Sequence, residues 1–175
     1  MEQTIYSRYS CRKFTKQALS REQLINIMRA GMQAPSARNE QPWEFIAVTE
    51  KQTLLKMAKA SPYATCLREA AAAVLVMADT SLTGDGAWWI QDISACIENM
   101  LLETVNLGLG SVWLGMYPRQ DRVDYLRKIF KLPAYLIPVA VLPLGYPLEA
   151  GNAQNRYKEE RIHWEGFGEE RKAEA

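Results

Sequence analysis

The sequence has few of the side chains on which metal and nucleophilic chemistry depends. It contains one histidine, His163, and three cysteines, Cys11, Cys66 and Cys96, in 175 residues. The cysteines are widely spaced and form no C-x-x-C pair, which argues against a zinc site and for a reducing compartment, the cytoplasm. No Ser-His-Asp signature, P-loop or H-E-x-x-H motif occurs. The sequence therefore predicts no catalytic side chain and no metal site.

An excess of one charge and long apolar runs are also absent. The 21 Lys and Arg against 20 Asp and Glu leave a net charge of +1, which gives no reason to expect a nucleic acid or a membrane as partner. No apolar run is long enough to span a bilayer, and we expect no secretory signal. Hydrophobic residues make up 48% of the chain. We expect one domain, residues 1–175, with a sizeable core and a frayed tail at residues 169–175.

The hydrophobic pattern predicts helices and strands in alternation. A capping-box pattern, Ser20-Arg21-Glu22-Gln23, precedes the first helix. We predict helices at residues 21–33, 51–59, 88–107 and 122–130, and strands at residues 44–49, 73–78, 111–116 and 136–144. Pro138 and Pro143 predict that the last strand lies near an edge or is bulged. Residues 145–168 lack periodicity and are expected to form an extended arm. Strands separated by helices indicate an α/β or α+β sandwich around one sheet.

The predicted helix 88–107 is apolar around most of its circumference. Such a helix must be buried on all sides. It is either the central helix of the core or packs partly against its copy in a symmetric dimer. A glutamate at Ile97 or Leu101 would dissociate the dimer in the second case and unfold the protein in the first.

Three short segments carry the chemical information. Residues 8–14 read Arg-Tyr-Ser-Cys-Arg-Lys-Phe, a cluster of cations around a hydroxyl that suits a phosphate. Residues 34–43, Ala-Pro-Ser-Ala-Arg-Asn-Glu-Gln-Pro-Trp, offer backbone amides beside aromatic surface. Residues 108–115, Gly-Leu-Gly-Ser-Val-Trp-Leu-Gly, follow a predicted helix and precede a strand, the reverse of the Rossmann order. Taken singly, the three also fit a solvated charge cluster, a turn and a helix C-cap.

In this order, the three segments resemble the signatures of the FMN-dependent nitroreductase family, R-x-S-x-R-x-F, A-P-S-x-x-N-x-Q-P-W and L-G-L-G-S-x-W-x-G. The resemblance extends from Arg8 to about Trp164. It implies an α+β, nitroreductase-like sandwich with a central mixed sheet flanked by helices and a C-terminal extended arm. It also implies a homodimer with FMN shared across the interface. Such an enzyme would use NADH or NADPH to reduce a nitroaromatic, quinone or similar small-molecule acceptor by ping-pong hydride transfer.

The resemblance further implies which residues bind FMN. The first segment and a C-terminal arginine would hold the phosphate and the ring edge. The second segment would reach the flavin from the partner subunit, and the strand after residue 111 would supply backbone contacts near the ring. The implied residues are Arg8, Ser10, Arg12, Pro35, Ser36, Ala37, Asn39, Leu114, Gly115, Met116 and Arg156. The chain departs from the family pattern at Ala37, where a second Ser is common, at Met116, where a second Gly is common, and at Gln154, where a cation is common.

Other functions on the same fold stay open. One alternative is a flavin-binding or storage protein without reductase activity. Another is a relative that dehalogenates its substrate or modifies the flavin. The stretch between Lys59 and Ala73 has room for only a brief helical segment, whereas larger relatives insert lid elements, so we expect a more open or less specific pocket. Aromatic residues such as Tyr63, Trp88 and Tyr117 could line this pocket or pack in the core.

Overall fold

The fold is built around one sheet with two strands that are apolar on both faces. The computed structural model describes residues 2–84, 86, 88–152 and 154–168, so the predicted frayed tail, residues 169–175, lies outside the described residues. The strands are β1 (Trp43–Val48), β2 (Ala72–Asp79), β3 (Gly110–Ser111), β4 (Leu114–Gly115) and β5 (Leu136–Gly145). The α-helices are α1 (Glu2–Ser7), α2 (Arg21–Gly31), α3 (Lys51–Met57), α4 (Trp89–Asn106) and α5 (Gln120–Phe130). The single strand predicted at residues 111–116 is in fact two short strands, β3 and β4, and α1 was not predicted.

The sheet has the strand order β1-β2-β5-β3, and β4 also pairs with β5. All of these pairs are antiparallel. A parallel bridge between Ser10 and Ser111 gives the sheet its mixed character. β2 is buried from Ala72 to Ala78, because helices cover both of its faces. This architecture agrees with the predicted α+β sandwich.

The prediction that the last strand lies near an edge is wrong. β5 pairs with β2 on one side and with β3 and β4 on the other, and it is buried from Pro138 onward. The predicted bulge is present, since the register between β2 and β5 shifts between Val76 and Met77, opposite Pro138 and Ala140. A proline cannot donate a ladder hydrogen bond, and this irregularity in the register accommodates it inside the sheet.

Two hydrophobic cores lie on the two faces of the sheet. Alternate residues of β2 point to opposite sides, as the period of a strand requires. Ala73, Leu75 and Met77 belong to the core that includes residues of α3 and α5. Val74 and Val76 belong to the core that includes residues of α2 and α4. The capping box predicted at Ser20 is present, and it begins α2 at Arg21.

The long helix α4 is a core helix of the single chain. Its residues Ile93, Cys96, Ile97 and Met100 are fully buried, because α2 and the sheet pack against them. The close approach of α2 depends on Gly31, where an added Cβ would lie 2.7 Å from Cγ of Met100. Ile97 and Leu101 are therefore not interface positions, and a charge placed at either would act on the core.

All three cysteines are free and buried. Burial raises the pKa of the Cys96 thiol to about 12, and it also raises the pKa of Cys66. Both thiols therefore stay neutral at physiological pH. Their positions inside the two cores make them packing residues.

Replacing Ile97 with Ala should destabilise the fold by about 2–5 kcal/mol, because a fully buried side chain is lost and a cavity is left. Urea denaturation followed by circular dichroism measures this change. The half-buried Leu102 on the same helix is the matched control. An equal loss in Leu102→Ala would contradict the assignment of Ile97 to the core.

Candidate functional site

The first cationic segment is held beside β3. Ser10 forms the parallel bridge with Ser111, and the N–H of Cys11 donates to the Ser111 carbonyl over 2.8 Å. Phe14 anchors the other end of the segment. It packs closely against Gly145, where an added Cβ would lie 2.8 Å from Cδ1 of Phe14. Between these two anchors the side chain of Arg12 is exposed. The sheet therefore presents Arg12 beside β4.

A cleft of about 400 Å³ opens at this point. It combines the first segment with β4, the start of α5 and the 3-10 turn at Pro62–Arg68. The lining residues are Arg12, Ser61, Pro62, Tyr63, Thr65, Trp113, Leu114, Gly115 and Arg122. Three of the predicted binding residues, Arg12, Leu114 and Gly115, thus share one cleft. Tyr63 lines it as expected, whereas Trp88 and Tyr117 do not.

The cleft is cationic and contains no acid. Its two charged lining residues are Arg12 and Arg122, and none of the lining residues is Asp or Glu. Arg122 donates from Nη1 to the Gly115 carbonyl over 2.8 Å, and its guanidinium carbon lies 5.9 Å from the Tyr63 ring centroid. Two guanidinium groups without a nearby carboxylate in the cleft favour an anionic ligand.

The backbone at Gly115 is open. A Cβ built on Gly115 would meet no heavy atom within 4 Å, although the flanking residues Leu114 and Met116 are buried. A flat group can therefore approach the main chain closely at this position. This open face and the exposed Arg12 fit a flavin mononucleotide, which combines a planar ring with a phosphate.

The second segment forms a strained loop between α2 and β1. Arg38, Asn39 and Gln41 have φ values of 52°, 57° and 48°, the left-handed region that costs free energy for residues other than glycine. Two of the contacts that stabilise the loop involve predicted site residues. The Ser36 hydroxyl accepts from the N–H of Gln41, and the N–H of Ala37 donates to Oδ1 of Asp92 over 3.0 Å.

Asp92 is a buried carboxylate in the first turn of α4, with 6% of its surface exposed. Its Oδ1 holds the loop, and among the described residues its Oδ2 has no hydrogen-bond partner. The same helix also carries Glu98, whose carboxylate lies 3.4 Å from Nε of Arg8. Helix α4 therefore contacts both of the N-terminal motifs.

Several predicted residues do not line the cleft. Arg8 is paired with Glu98, and Arg156 is exposed and donates to Gln154 over 3.0 Å. Met116 is fully buried, and its N–H donates to the carbonyl of Val139. The loop residues Pro35, Ser36, Ala37 and Asn39 do not line the cleft either. One chain thus brings together only part of the predicted set.

A second cleft, of about 450 Å³, is lined by residues that include Lys16, Lys51 and Arg68, and it contains none of the predicted binding residues. Within the described part of the chain, no group of three or more His, Cys, Asp or Glu is placed to hold a metal ion. Among those same residues, no helix has the length and hydropathy to cross a membrane.

This chain is similar to known proteins over the residues described above. A profile of the nitroreductase family matches residues 5–79 and 62–146. The chain belongs to the nitroreductase family. The match covers both N-terminal motifs, the cleft and the sheet, and it confirms the family predicted from the sequence.

Individual nitroreductase relatives cover nearly the whole chain. A protein of Archaeoglobus fulgidus, named as a proposed NADH dehydrogenase/NAD(P)H nitroreductase, is 42% identical over 165 residues, 92% of this chain and 95% of the relative. A crystal structure of a protein with the same name from Parabacteroides distasonis has a TM-score of 0.90 at 39% identity, over 95% of this chain and 98% of that one. The structure of a proposed nitroreductase from Desulfovibrio desulfuricans in complex with FMN has a TM-score of 0.82 at 29% identity, over 95% and 96%. These structures confirm the predicted nitroreductase fold.

Asp92 and Arg122 are among the residues of the candidate site that were not predicted from the sequence. Asp92 left a signal, because it is an acid in the first turn of a helix and lies between the apolar residues Trp89 and Ile93 in that stretch. Arg122 left no such signal, because its distance in sequence from the three motifs does not show where its side chain lies in the fold. Only the folding of α5 against the sheet brings Arg122 to Gly115.

Replacing Asp92 with Ala should loosen the loop at residues 36–41. The Ala37 N–H loses its acceptor, so we expect its hydrogen exchange to be faster by about tenfold or more. Exchange measured by NMR gives the rate. Asp92→Asn keeps an acceptor oxygen and should leave the rate close to that of the unmodified protein. Equal protection of Ala37 in Asp92→Ala would show that the carboxylate does not hold the loop.

Proposed function

We propose that the protein is an FMN-dependent oxidoreductase that uses NAD(P)H to reduce nitroaromatic, quinone or similar acceptors. As a member of the nitroreductase family, the chain is an NAD(P)H-dependent oxidoreductase, and FMN is its cofactor. The range of acceptors and the ping-pong order of the reaction are part of the proposal. The observation that carries it is the cleft in which Arg12, Leu114 and Gly115 meet.

The residues of the cleft have distinct roles in this proposal. Arg12 supplies a charge-assisted donor to the anionic or electron-rich edge of the cofactor. Leu114 and Gly115 form an open stretch of backbone against which a flat ring can lie. Ser10 positions Arg12 through its backbone bridge to Ser111. Arg8 and Arg156 would complete the phosphate site.

FMN, when bound, supplies the chemistry by taking hydride from NAD(P)H and passing reducing equivalents to the acceptor. The protein needs no nucleophile or metal for this reaction. Its own residues bind and orient, and the exposed Tyr63 and Trp113 offer aromatic surface to a second planar molecule. We assign no general acid or base.

The proposal includes a homodimer with FMN shared across the interface. Residues 154–165 of the C-terminal arm are exposed throughout, and Phe167 is 94% exposed. Exposed aromatic and aliphatic residues in such an arm indicate a surface that another molecule covers. The loop that contains Ala37 does not line the cleft of its own chain, which supports its placement in the site of a partner. A cytoplasmic location is also part of the proposal, supported by three free cysteines.

The purified protein should be yellow and should release FMN on denaturation. Addition of NADH or NADPH without oxygen should bleach it, and an acceptor should restore the colour. Arg12→Ala should bind FMN about ten- to a hundredfold more weakly, because one charge-assisted hydrogen bond is lost. Fluorescence titration of the apoprotein with FMN measures the dissociation constant.

Lys13→Ala is the matched control, because Lys13 is the adjacent cation and pairs with Glu149 outside the cleft. Its affinity for FMN should be unchanged. A colour that persists with both nucleotides would indicate a flavin-binding protein, and conversion to a new chromophore would indicate flavin modification. Equal affinities for FMN in the Arg12→Ala and unmodified proteins would mean that the motif has been misread.

Sedimentation at low micromolar concentration should give twice the chain mass of 19.9 kDa. Removing residues 149–175 should weaken the dimer and release flavin, because the exposed arm is the proposed partner surface. Removing only residues 169–175 is the control, and it should preserve both. A flavin-loaded monomer of the full chain would rule out the shared site.

A further inference from the structure

We propose that Arg122, together with Tyr63, selects acceptors that carry an anionic group on an aromatic ring. This inference rests on the proposed function, because the cleft is taken to be the place where an acceptor meets the flavin. It names a substrate class for that cleft and a residue that recognises it. Arg122 acts here as a binding residue for the acceptor.

The guanidinium of Arg122 is fixed at the cleft. Its Nη1 donates to the Gly115 carbonyl over 2.8 Å, which uses one of its five N–H donors. Gly115 is the residue with the open backbone face, where the flavin ring is proposed to lie. The anchored guanidinium is therefore beside the space that an acceptor must enter, and little side-chain entropy is lost when it binds an anion.

The charge of Arg122 is not neutralised inside the cleft. Among the described residues, no carboxylate lies within ion-pair distance of Arg122. The neighbouring acids on α5 have other partners, since Asp121 pairs with Arg119 over 3.2 Å and Asp124 accepts from Gln120. Arg122 still contributes to lowering the pKa of Asp121, after the larger effects of Arg119. An anion in the cleft would therefore meet a guanidinium that is free of competing acids there.

Tyr63 provides the second half of the recognition. Tyr63 is 72% exposed, and its ring centroid lies 5.9 Å from the guanidinium carbon of Arg122. A planar ligand can stack on such a ring while an acidic substituent reaches the guanidinium. A carboxylate or sulfonate on a nitroaromatic or quinone has this combination of groups. A neutral acceptor would use Tyr63 alone.

Arg122 is distinct from the cations proposed for the FMN phosphate. Arg12 comes from the N-terminal segment and Arg156 from the C-terminal arm, whereas Arg122 comes from α5. Since Arg122 is bonded at Gly115, it lies on the ring side of the proposed site. A cation on that side adds charge recognition to a cleft that otherwise offers aromatic and apolar surface.

The test compares 4-nitrobenzoate with its methyl ester, which lacks the charge. In Arg122→Gln, kcat/KM for 4-nitrobenzoate should fall by about tenfold or more, while kcat/KM for the ester should change by less than about threefold. Arg122→Lys keeps the charge without the fork and should lie between the two. Equilibrium dialysis of 4-nitrobenzoate against the oxidised holoprotein should show the same loss in binding, without turnover.

Lys128→Gln is the matched control, because Lys128 lies on the same helix, is exposed and does not line the cleft. It should change none of these quantities. An equal loss for the acid and the ester in Arg122→Gln would overturn the inference, as would a tenfold weaker affinity for FMN, which would assign Arg122 to the cofactor. A loss confined to kcat/KM for NADPH or NADH would overturn it in favour of the nucleotide. If the unmodified protein reduced neither acceptor, the proposed function would fail, and dialysis alone would still decide the role of Arg122.

Discussion

The pairing of β2 with β5 is the interaction on which the rest of the structure depends. Both strands are buried on both faces, so each contributes to both hydrophobic cores at once. β5 also carries β3 and β4 on its other side. The segment that contains Ser10 pairs with β3 at Ser111, and the open backbone at Gly115 is part of β4. The position of the cleft is therefore a consequence of how β5 pairs.

Helix α4 connects the core to the candidate site. One side of it is buried against α2 and the sheet, and fully buried residues such as Ile97 stabilise the helix in a single position. The same helix presents Asp92 to the loop at Ala37 and Glu98 to Arg8. Burial of the helix thus sets the geometry of two polar contacts, and this explains how an apolar helix can organise binding motifs that are distant in sequence.

The electrostatics of the cleft follow from the same arrangement. Arg12 and Arg122 are far apart in sequence, and they meet in a cleft whose lining residues include no acid. Desolvating two cations is costly unless an anion binds them, so the arrangement is suited to an anionic ligand. Gly115 leaves room for a flat group beside them. Cationic and flat surfaces together are what a flavin and an aromatic acceptor require.

The sequence by itself determined the family, the fold class and most of the elements, because hydrophobic periodicity and the motif at Ser10 and Arg12 are local properties of the chain. It predicted a capped α2 and a buried β2, both of which are present. Only the tertiary structure decided that β5 is internal, that Ile97 belongs to the core and that Arg122 reaches Gly115. The first two facts depend on contacts between residues far apart in sequence, and the third depends on how α5 folds back against β4. Neither propensity nor spacing encodes these contacts.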